Sequence, residues 1–224
     1  MLTLIVGNKN YSSWSMRPWV LMRHFGIDFS ERALQLGSAE FAAALAPLTP
    51  TRTVPVLIDG ELVVGDSLAI VEYLAERHPQ HAIWPAKVAA RASARMLAAT
   101  MHSSFGALRA NMQMNVEADL AGRGWNLAVQ RDLDRICALW QPALDASGGP
   151  FLFGEFCAAD AFYAPVCSRL RTYAPALPDF AAAYVERVLA LPAVEQWCAQ
   201  ARAEHVYLTD DEPYRRDPAE AAAH

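Results

Sequence analysis

The sequence predicts an α/β domain followed by an all-helical domain. Up to residue 78, short apolar runs alternate with segments of helical periodicity, whereas nearly all of the chain beyond residue 86 has helical periodicity. The stretch between them begins and ends with proline, which interrupts both helices and strand pairing. We therefore expect domains at 1–78 and 88–206, a linker at 79–87 and a polar tail at 207–224.

The first domain is predicted to follow the order strand, helix, strand, helix, hairpin, helix. Each strand is a short apolar or alternating run, and each helix carries apolar residues at helical spacing. Asp59 and Gly60 form the tight turn of the hairpin. The predicted strands are 2–6, 29–34, 54–58 and 62–64; the predicted helices are one that starts between 13 and 18 and ends before Gly26, then 39–45 and 67–77. This order is that of a thioredoxin-like domain.

The second domain is predicted to be a bundle of about five helices. Two glycines and a proline at 148–150 break the helical pattern, and a proline at 192 precedes the last helix. The predicted helices are 89–114, 125–144, 157–172, 180–189 and 193–203.

Composition excludes several classes of partner. The 224 residues can bury roughly 70% of the chain's surface, so a sizeable core is possible. The formal net charge is −5, and no block of Lys or Arg occurs, which argues against nucleic acid and anionic membranes. No apolar run is long enough to span a bilayer, and the first seven residues do not resemble a secretory signal. We expect a soluble cytoplasmic protein.

The four cysteines all lie in the C-terminal half, at positions 137, 157, 167 and 198. They form no Cys-x-x-Cys pair, and no histidine has the spacing typical of a zinc site. We expect them to be reduced and mostly buried, and we expect no metal.

Three serines lie where the first strand gives way to the first helix, in the run Tyr-Ser-Ser-Trp-Ser-Met-Arg-Pro at 11–18. Pro18 disfavours the helical conformation at Arg17, so the helix must begin close to the serines. Unpaired N–H groups and the helix dipole favour an anion at such a terminus. The alternative is that the serines only cap the helix, although three serines in four positions exceed what one cap needs.

A proline opens the third strand. A cis Val54–Pro55 bond would turn the N–H and C=O groups of Val54 outward, where they can pair with an extended peptide. An ordinary trans proline at a sheet edge is the alternative. At the start of the next helix, Asp66 and Ser67 combine a carboxylate with free N–H groups, which suits a ligand carrying both an ammonium and a carboxylate; a plain helix cap is the alternative there.

These three motifs, followed by Gly-Glu-Phe-Cys-Ala-Ala-Asp at 154–160, together resemble the glutathione transferase superfamily over residues 1–205. The serine motif is most similar to the serine-type branch that includes zeta-class enzymes and maleylacetoacetate isomerases. The resemblance implies a thioredoxin-like glutathione-binding domain followed by the helical C-terminal domain of the family. It also implies glutathione as cosubstrate, a small electrophilic second substrate, a role in detoxification and a homodimer.

The resemblance implies that one serine of this motif activates glutathione. Ser12 lies five residues before Arg17, as the activating serine of the family does, and Ser13 is the competing position. Such a serine donates a hydrogen bond to the glutathione sulfur and favours the thiolate.

The resemblance also implies contacts for the rest of glutathione. The Val54 backbone, next to Pro55, would pair with the cysteinyl part. Asp66 and Ser67 would hold the ammonium and the carboxylate of the γ-glutamyl end, and Arg52 is a candidate for the glycyl carboxylate. The expected pocket for the second substrate is formed by the first loop and the first long helix of the bundle, with the candidates Tyr11, Trp14, Met101, His102, Phe105 and Arg109.

The leading hypothesis is a glutathione transferase. Glutathione-dependent isomerisation and peroxide reduction use the same thiolate, although Trp14 stands where zeta-class enzymes carry cysteine. A non-catalytic binding protein of the same fold is a further alternative, against which the intact Ser12, Val54–Pro55 and Ser67 argue. A thiol oxidoreductase needs a cysteine in the first domain, and none precedes Cys137.

Overall fold

The computed structural model describes residues 1–215, so 216–224 of the predicted tail lie outside the described residues. Its N-terminal part is a four-stranded sheet with three helices. The sheet has the order β2-β1-β3-β4, in which β2 runs parallel to β1 while β3 and β4 are antiparallel to their neighbours. The elements are β1 (Leu2–Val6), α1 (Ser13–His24), β2 (Phe29–Ala33), α2 (Ala39–Leu45), β3 (Val56–Asp59), β4 (Leu62–Val64) and α3 (Ser67–Arg77). The prediction of a thioredoxin-like domain is confirmed.

Strand β1 is buried on both faces, as its nearly continuous apolar sequence requires. Leu4 and Val6 belong to the large core that also contains residues of α1, α3 and the helical part. Ile5 points to the other face, where a smaller cluster includes Leu34 and Leu45. The sheet is therefore covered by α1 and α3 on one side and by α2 on the other.

The described C-terminal part is built of helices, apart from two isolated antiparallel bridges within residues 151–155. Helix α7 is buried along nearly its whole length and packs against α1, α4 and α8. The elements are α4 (Val88–Ser103), α5 (Gly106–Asn111), α6 (Leu127–Ser147), α7 (Ala158–Tyr173), α8 (Asp179–Leu189), α9 (Pro192–Glu204) and a short 3-10 helix (Thr209–Asp211). No helix within residues 1–215 is long and apolar enough to cross a bilayer.

The helix predicted at 89–114 is wrong as a single element, because the chain breaks between α4 and α5. Ser104 is extended, and Phe105 adopts a left-handed conformation with φ of 64°. A left-handed phenylalanine is uncommon, and the break contains no proline, so the periodicity gave no sign of it. The Arg109 guanidinium donates to the Ser104 carbonyl at 2.9 Å and to the Met101 carbonyl, which stabilises the open end of α4.

Asp160, at the start of α7, organises the turn that precedes this helix. Its carboxylate accepts the N–H groups of Cys157 at 2.9 Å and Leu152 at 3.1 Å, together with the Tyr184 hydroxyl at 2.8 Å. The carboxylate is fully buried, and burial raises its pKa while the hydrogen bonds oppose that rise. This turn fixes α7 against α1, where the cavity described next opens.

Candidate active site

A cavity of about 460 Å³ opens between the starts of α1 and α3, the segment before β3, and α4. Ten of the thirteen residues that the sequence singled out line this cavity, although they come from four separate stretches of the first half of the chain. They are Tyr11, Ser12, Ser13, Trp14, Arg52, Val54, Pro55, Asp66, Ser67 and His102.

The two serines at the start of α1 are nearly buried, with exposed fractions of 6% for Ser12 and 5% for Ser13. The Ser12 side chain makes no capping hydrogen bond; its hydroxyl donates to the Ser15 Oγ at 2.7 Å, which in turn accepts the Gly7 N–H. The Ser13 Oγ accepts a hydrogen bond from the Arg169 Nη2 at 3.2 Å. Capping alone therefore does not account for these hydroxyls, and both lie where an anion is favoured.

The segment before β3 presents unpaired backbone to the cavity. The Val54–Pro55 bond is cis, which is one of the two alternatives that the sequence left open, and pairing of β3 with β1 begins only at Val56. The N–H and C=O groups of Val54 have no hydrogen-bond partner among residues 1–215. An extended ligand can pair with them as an added strand. Arg52 is exposed at the rim beside them.

The start of α3 offers a carboxylate and a hydroxyl. The Asp66 Oδ1 caps the helix by accepting the N–H groups of Leu68 at 2.8 Å and Ala69 at 3.0 Å. Its other oxygen lies 3.5 Å from the His102 Nε2 and stays partly exposed. The Ser67 Oγ accepts a hydrogen bond from the Arg17 Nη1 at 3.3 Å. Capping and ligand binding are thus compatible at Asp66, since only one of its two oxygens caps the helix.

Trp14 forms the wall of the cavity on the side of the helical part. The His102 ring meets its indole edge-on with centroids 5.0 Å apart, and the guanidinium carbons of Arg17 and Arg109 lie 4.0 and 4.9 Å from its centroid. Burial, together with Arg17 and Arg109, lowers the pKa of His102 and outweighs the opposing effect of Asp66. His102 is therefore neutral near pH 7.

Three residues of the predicted second-substrate pocket do not line the cavity. Met101 and Phe105 are buried in the core, and Arg109 uses its guanidinium on the carbonyls at the end of α4. The prediction assumed a continuous helix on which His102 and Arg109 share a side, and the break at Phe105 removes that helix. Arg109 still approaches the site through its contact with the face of Trp14.

Sequence reasoning missed two contributors to the site. Arg169 of α7 contacts Ser13 from a position 156 residues away, and no local motif marks it. Glu212, in the predicted polar tail, accepts the Tyr11 hydroxyl at 2.6 Å. Burial and Glu212 raise the pKa of Tyr11 to about 12, so this phenol is protonated at neutral pH. Among the described residues, no group of His, Cys, Asp or Glu side chains is arranged to hold a metal ion.

Comparison with known proteins places the chain in a family. The N-terminal domain model of glutathione S-transferase matches residues 11–77. A zeta-class glutathione S-transferase from Euphorbia esula is 31% identical over 157 residues, which cover 69% of this chain and 70% of the relative. A probable maleylacetoacetate isomerase from Vibrio cholerae is 35% identical over 101 residues, or 44% and 47% of the two chains.

A solved structure agrees over nearly the whole fold. A glutathione transferase homologue from Burkholderia with bound glutathione superposes with a TM-score of 0.70 at 29% identity, covering 91% of this chain and 99% of that one. The chain belongs to the glutathione S-transferase family and is similar to its zeta-class members.

Proposed function

We propose that this protein is a glutathione transferase in which a serine hydroxyl at the start of α1 favours the glutathione thiolate for attack on a small electrophile. The main support for the proposal is that one cavity is lined by the start of α1, the start of α3 and the unpaired backbone at Val54. These three features match the three chemical parts of glutathione, and none of them alone would select a tripeptide thiol.

The proposed contacts allow glutathione to bind in only one orientation. The γ-glutamyl ammonium pairs with the Asp66 oxygen that does not cap α3 and that lies 3.5 Å from the His102 Nε2. The adjacent carboxylate binds Ser67 at the start of α3. The cysteinyl backbone adds to the edge at Val54. The glycyl carboxylate then reaches the rim, where Arg52 is exposed. In this orientation the cysteinyl sulfur points to the start of α1.

Ser12 is the proposed donor to the sulfur. Its hydroxyl turns freely about the Cβ–Oγ bond, so it can exchange the contact with Ser15 for a hydrogen bond to the thiolate. The serine keeps its proton, and glutathione is the nucleophile. The second substrate enters beside Trp14, His102 and Tyr11, which form the remaining wall.

A second candidate is the glutathione-dependent isomerisation of a maleyl double bond, favoured by the similarity to the probable maleylacetoacetate isomerase. It uses the same thiolate, which adds to the double bond and leaves after rotation. The bulky Trp14 within the serine motif narrows the cavity and favours the transferase.

A panel of glutathione-dependent assays tests the proposal. The purified protein and its Ser12→Ala variant are supplied with a chlorinated aromatic, an organic hydroperoxide and a maleyl-diketone analogue. We expect turnover of the chlorinated aromatic that depends on Ser12. Turnover of the maleyl analogue alone would favour the isomerase, and glutathione binding without any turnover would favour a non-catalytic protein.

The proposed assembly and location follow the family. We propose a homodimer, because the family forms its dimers across the junction of its two parts, and a cytoplasmic protein. Analytical ultracentrifugation at micromolar concentration tests the first of these, with a sedimenting species of twice the chain mass as the expected result.

A further inference from the structure

Three arginines lie beside the cavity: Arg17 on α1 and Arg169 on α7 are buried, and Arg109 on α5 is half-buried. Arg17 is fully buried, and Arg169 is only 4% exposed. Within residues 1–215 no carboxylate oxygen lies within 4.0 Å of any of the three guanidinium groups. A buried cation without a counterion destabilises a fold, so these side chains need a further explanation.

Arg109 has a structural explanation, since it stabilises the carbonyls at the end of α4. Arg17 and Arg169 stabilise no helix end in this way, although the Arg17 guanidinium lies against the Trp14 ring. The Nε and Nη2 of Arg17 and the Nε of Arg169 are buried without any hydrogen-bond partner among the described residues. Besides its contact with Ser13, Arg169 donates only to the Pro165 carbonyl of its own helix, at 3.4 Å.

Each of these two arginines donates to one serine of the cavity. Arg169 Nη2 lies 3.2 Å from Ser13 Oγ, and Arg17 Nη1 lies 3.3 Å from Ser67 Oγ. A guanidinium can only donate, so each serine oxygen accepts and each hydroxyl proton remains available to a ligand. A donor whose oxygen already accepts from a cation is strengthened, because hydrogen bonds in a chain polarise one another.

We propose that Arg169 is a positioning residue for glutathione ionisation: it acts through Ser13, whose hydroxyl joins Ser12 in donating to the sulfur, and its buried charge favours the thiolate. This inference rests on the proposed function. When glutathione ionises, the proton of its S–H group passes to solvent and the electron pair stays on sulfur. Arg169 neither gains nor loses a proton in this step.

The charged groups around Arg169 leave it cationic at neutral pH. Burial and the nearby Arg109 lower the pKa of Arg169 to about 9, and Tyr173 opposes this. Arg17 faces the same region from α1. Burial, Arg109 and Arg169 lower its pKa, while Asp66 and Tyr163 oppose this. A thiolate beside Ser13 relieves this mutual repulsion, which gives the bound anion a stabilisation that a neutral thiol does not receive.

Arg17 provides a matched comparison, because it is an equally buried arginine behind the other serine. At Ser67 the proposed ligand group is the γ-glutamyl carboxylate, which is ionised with or without Arg17. Loss of Arg17 is therefore expected to weaken the binding of S-methylglutathione, which keeps the carboxylate and lacks the thiol. Loss of Arg169 is expected to affect thiol ionisation and to leave S-methylglutathione affinity within about twofold.

The experiment measures two quantities for wild type, for the single variants Arg169→Met, Ser13→Ala, Ser12→Ala, Arg17→Met and Arg171→Met, and for the double variant that combines Arg169→Met with Ser13→Ala. Thiolate formation is followed by the ultraviolet absorbance of bound glutathione across a pH series, and S-methylglutathione affinity is measured by calorimetry. Arg171 is the control, because it is an exposed arginine on the same helix that pairs with Glu186. We expect about tenfold less thiolate at pH values below the thiol pKa for Arg169→Met and no change for Arg171→Met.

Ser13→Ala should reproduce the loss seen in Arg169→Met, and the double variant should lose little more, because the arginine acts through the serine. A buried cation without a counterion costs free energy that methionine does not, so the Arg169→Met variant is expected to fold. The inference is overturned if Arg169→Met and Ser13→Ala both ionise glutathione like wild type while Ser12→Ala does not; the proposed function then stands. Failure of wild type to bind glutathione would overturn both.

Discussion

Replacement of Ser12 by alanine removes one hydroxyl and leaves the fold intact. The Ser12 side chain makes no capping hydrogen bond to α1, and the Ser15 Oγ retains the Gly7 N–H as a partner after the change. The melting temperature should therefore hardly move. Catalysis should fall, because in the proposed complex this hydroxyl donates to the sulfur.

The size of the effect follows from the strength of that hydrogen bond. A hydrogen bond to a charged group contributes about 1.5–3 kcal/mol, and 1.36 kcal/mol changes ionisation tenfold. Loss of the donor thus decreases the thiolate fraction by about ten- to a hundredfold at a pH below the thiol pKa. A less acidic thiolate is a better nucleophile, which offsets part of the deficit, whereas the loss of orientation adds to it. We expect kcat/KM for conjugation to fall at least about tenfold near pH 6.5.

The pH profile of conjugation separates this mechanism from a general loss of activity. The donor lowers the thiol pKa, so Ser12→Ala raises it, and the deficit is largest below the wild-type pKa. At a pH above the raised pKa both proteins hold the thiolate, and their rates should converge. Matched assays at five or six pH values with one chlorinated aromatic measure this convergence.

Two results would refute the reasoning. A deficit of constant size across the whole pH range would mean that Ser12 does not act on thiol ionisation. Full activity in Ser12→Ala combined with a roughly tenfold loss in Ser13→Ala would mean that Ser13, and not Ser12, is the primary donor to the sulfur. The second result is compatible with the Arg169 contact to Ser13, so the two variants must be measured side by side.

Three further predictions concern single side chains. Asp66→Asn and Asp66→Ala should both weaken glutathione binding in calorimetry, but only alanine should also lower the free energy of unfolding, by about 1 kcal/mol, because asparagine still caps α3. Asp160→Ala should destabilise the fold by at least about 3 kcal/mol in urea unfolding, since it leaves three buried donors without an acceptor. Burial lowers the pKa of His102 in the folded protein. The contribution of this histidine to the free energy of unfolding is therefore complete above the unfolded pKa of about 6.5 and decreases as the pH falls below that value. His102→Gln should make the melting temperature fall less steeply below about pH 6.5, as measured by thermal unfolding across a pH series.

Most of the fold was predictable because its signals are local. The strands 2–6 and 62–64 and the helices 39–45 and 67–77 lie at their predicted residues. Each is bounded by turn or capping residues within a few positions, such as Asp66 before α3 and Ser38 before α2. The failure at α4 and α5 has the opposite cause. The left-handed Phe105 depends on packing and on Arg109 from the next helix, and neither is visible in a window of neighbouring residues.

The first-half motifs of the site were predictable for a related reason. Each glutathione contact that the family resemblance implies is encoded by adjacent residues at the end of a strand or the start of a helix, and the fold then brings these termini together around one cavity. The part of the cavity wall that would contact the second substrate was not predictable in the same way. Its candidate residues on the first long helix were placed on one continuous helical face, and the break at Phe105 removes that face. Trp14 and His102 reach the cavity nevertheless, in edge-on contact with each other.

The charges around the site illustrate what a local motif leaves open. The serine motif specifies hydroxyl groups, and a hydroxyl can donate to an anion or accept from a cation. Ser13 and Ser67 accept from buried arginines, and the arginine behind Ser13 comes from α7, far along the chain. That contact leaves the hydroxyl proton of Ser13 available to a ligand. It also places beside Ser13 a positive charge that has no carboxylate oxygen within 4.0 Å among residues 1–215. The N-terminal motifs therefore account for where glutathione is expected to lie, whereas in the proposed complex the acidity of its thiol also depends on Arg169 of the helical part.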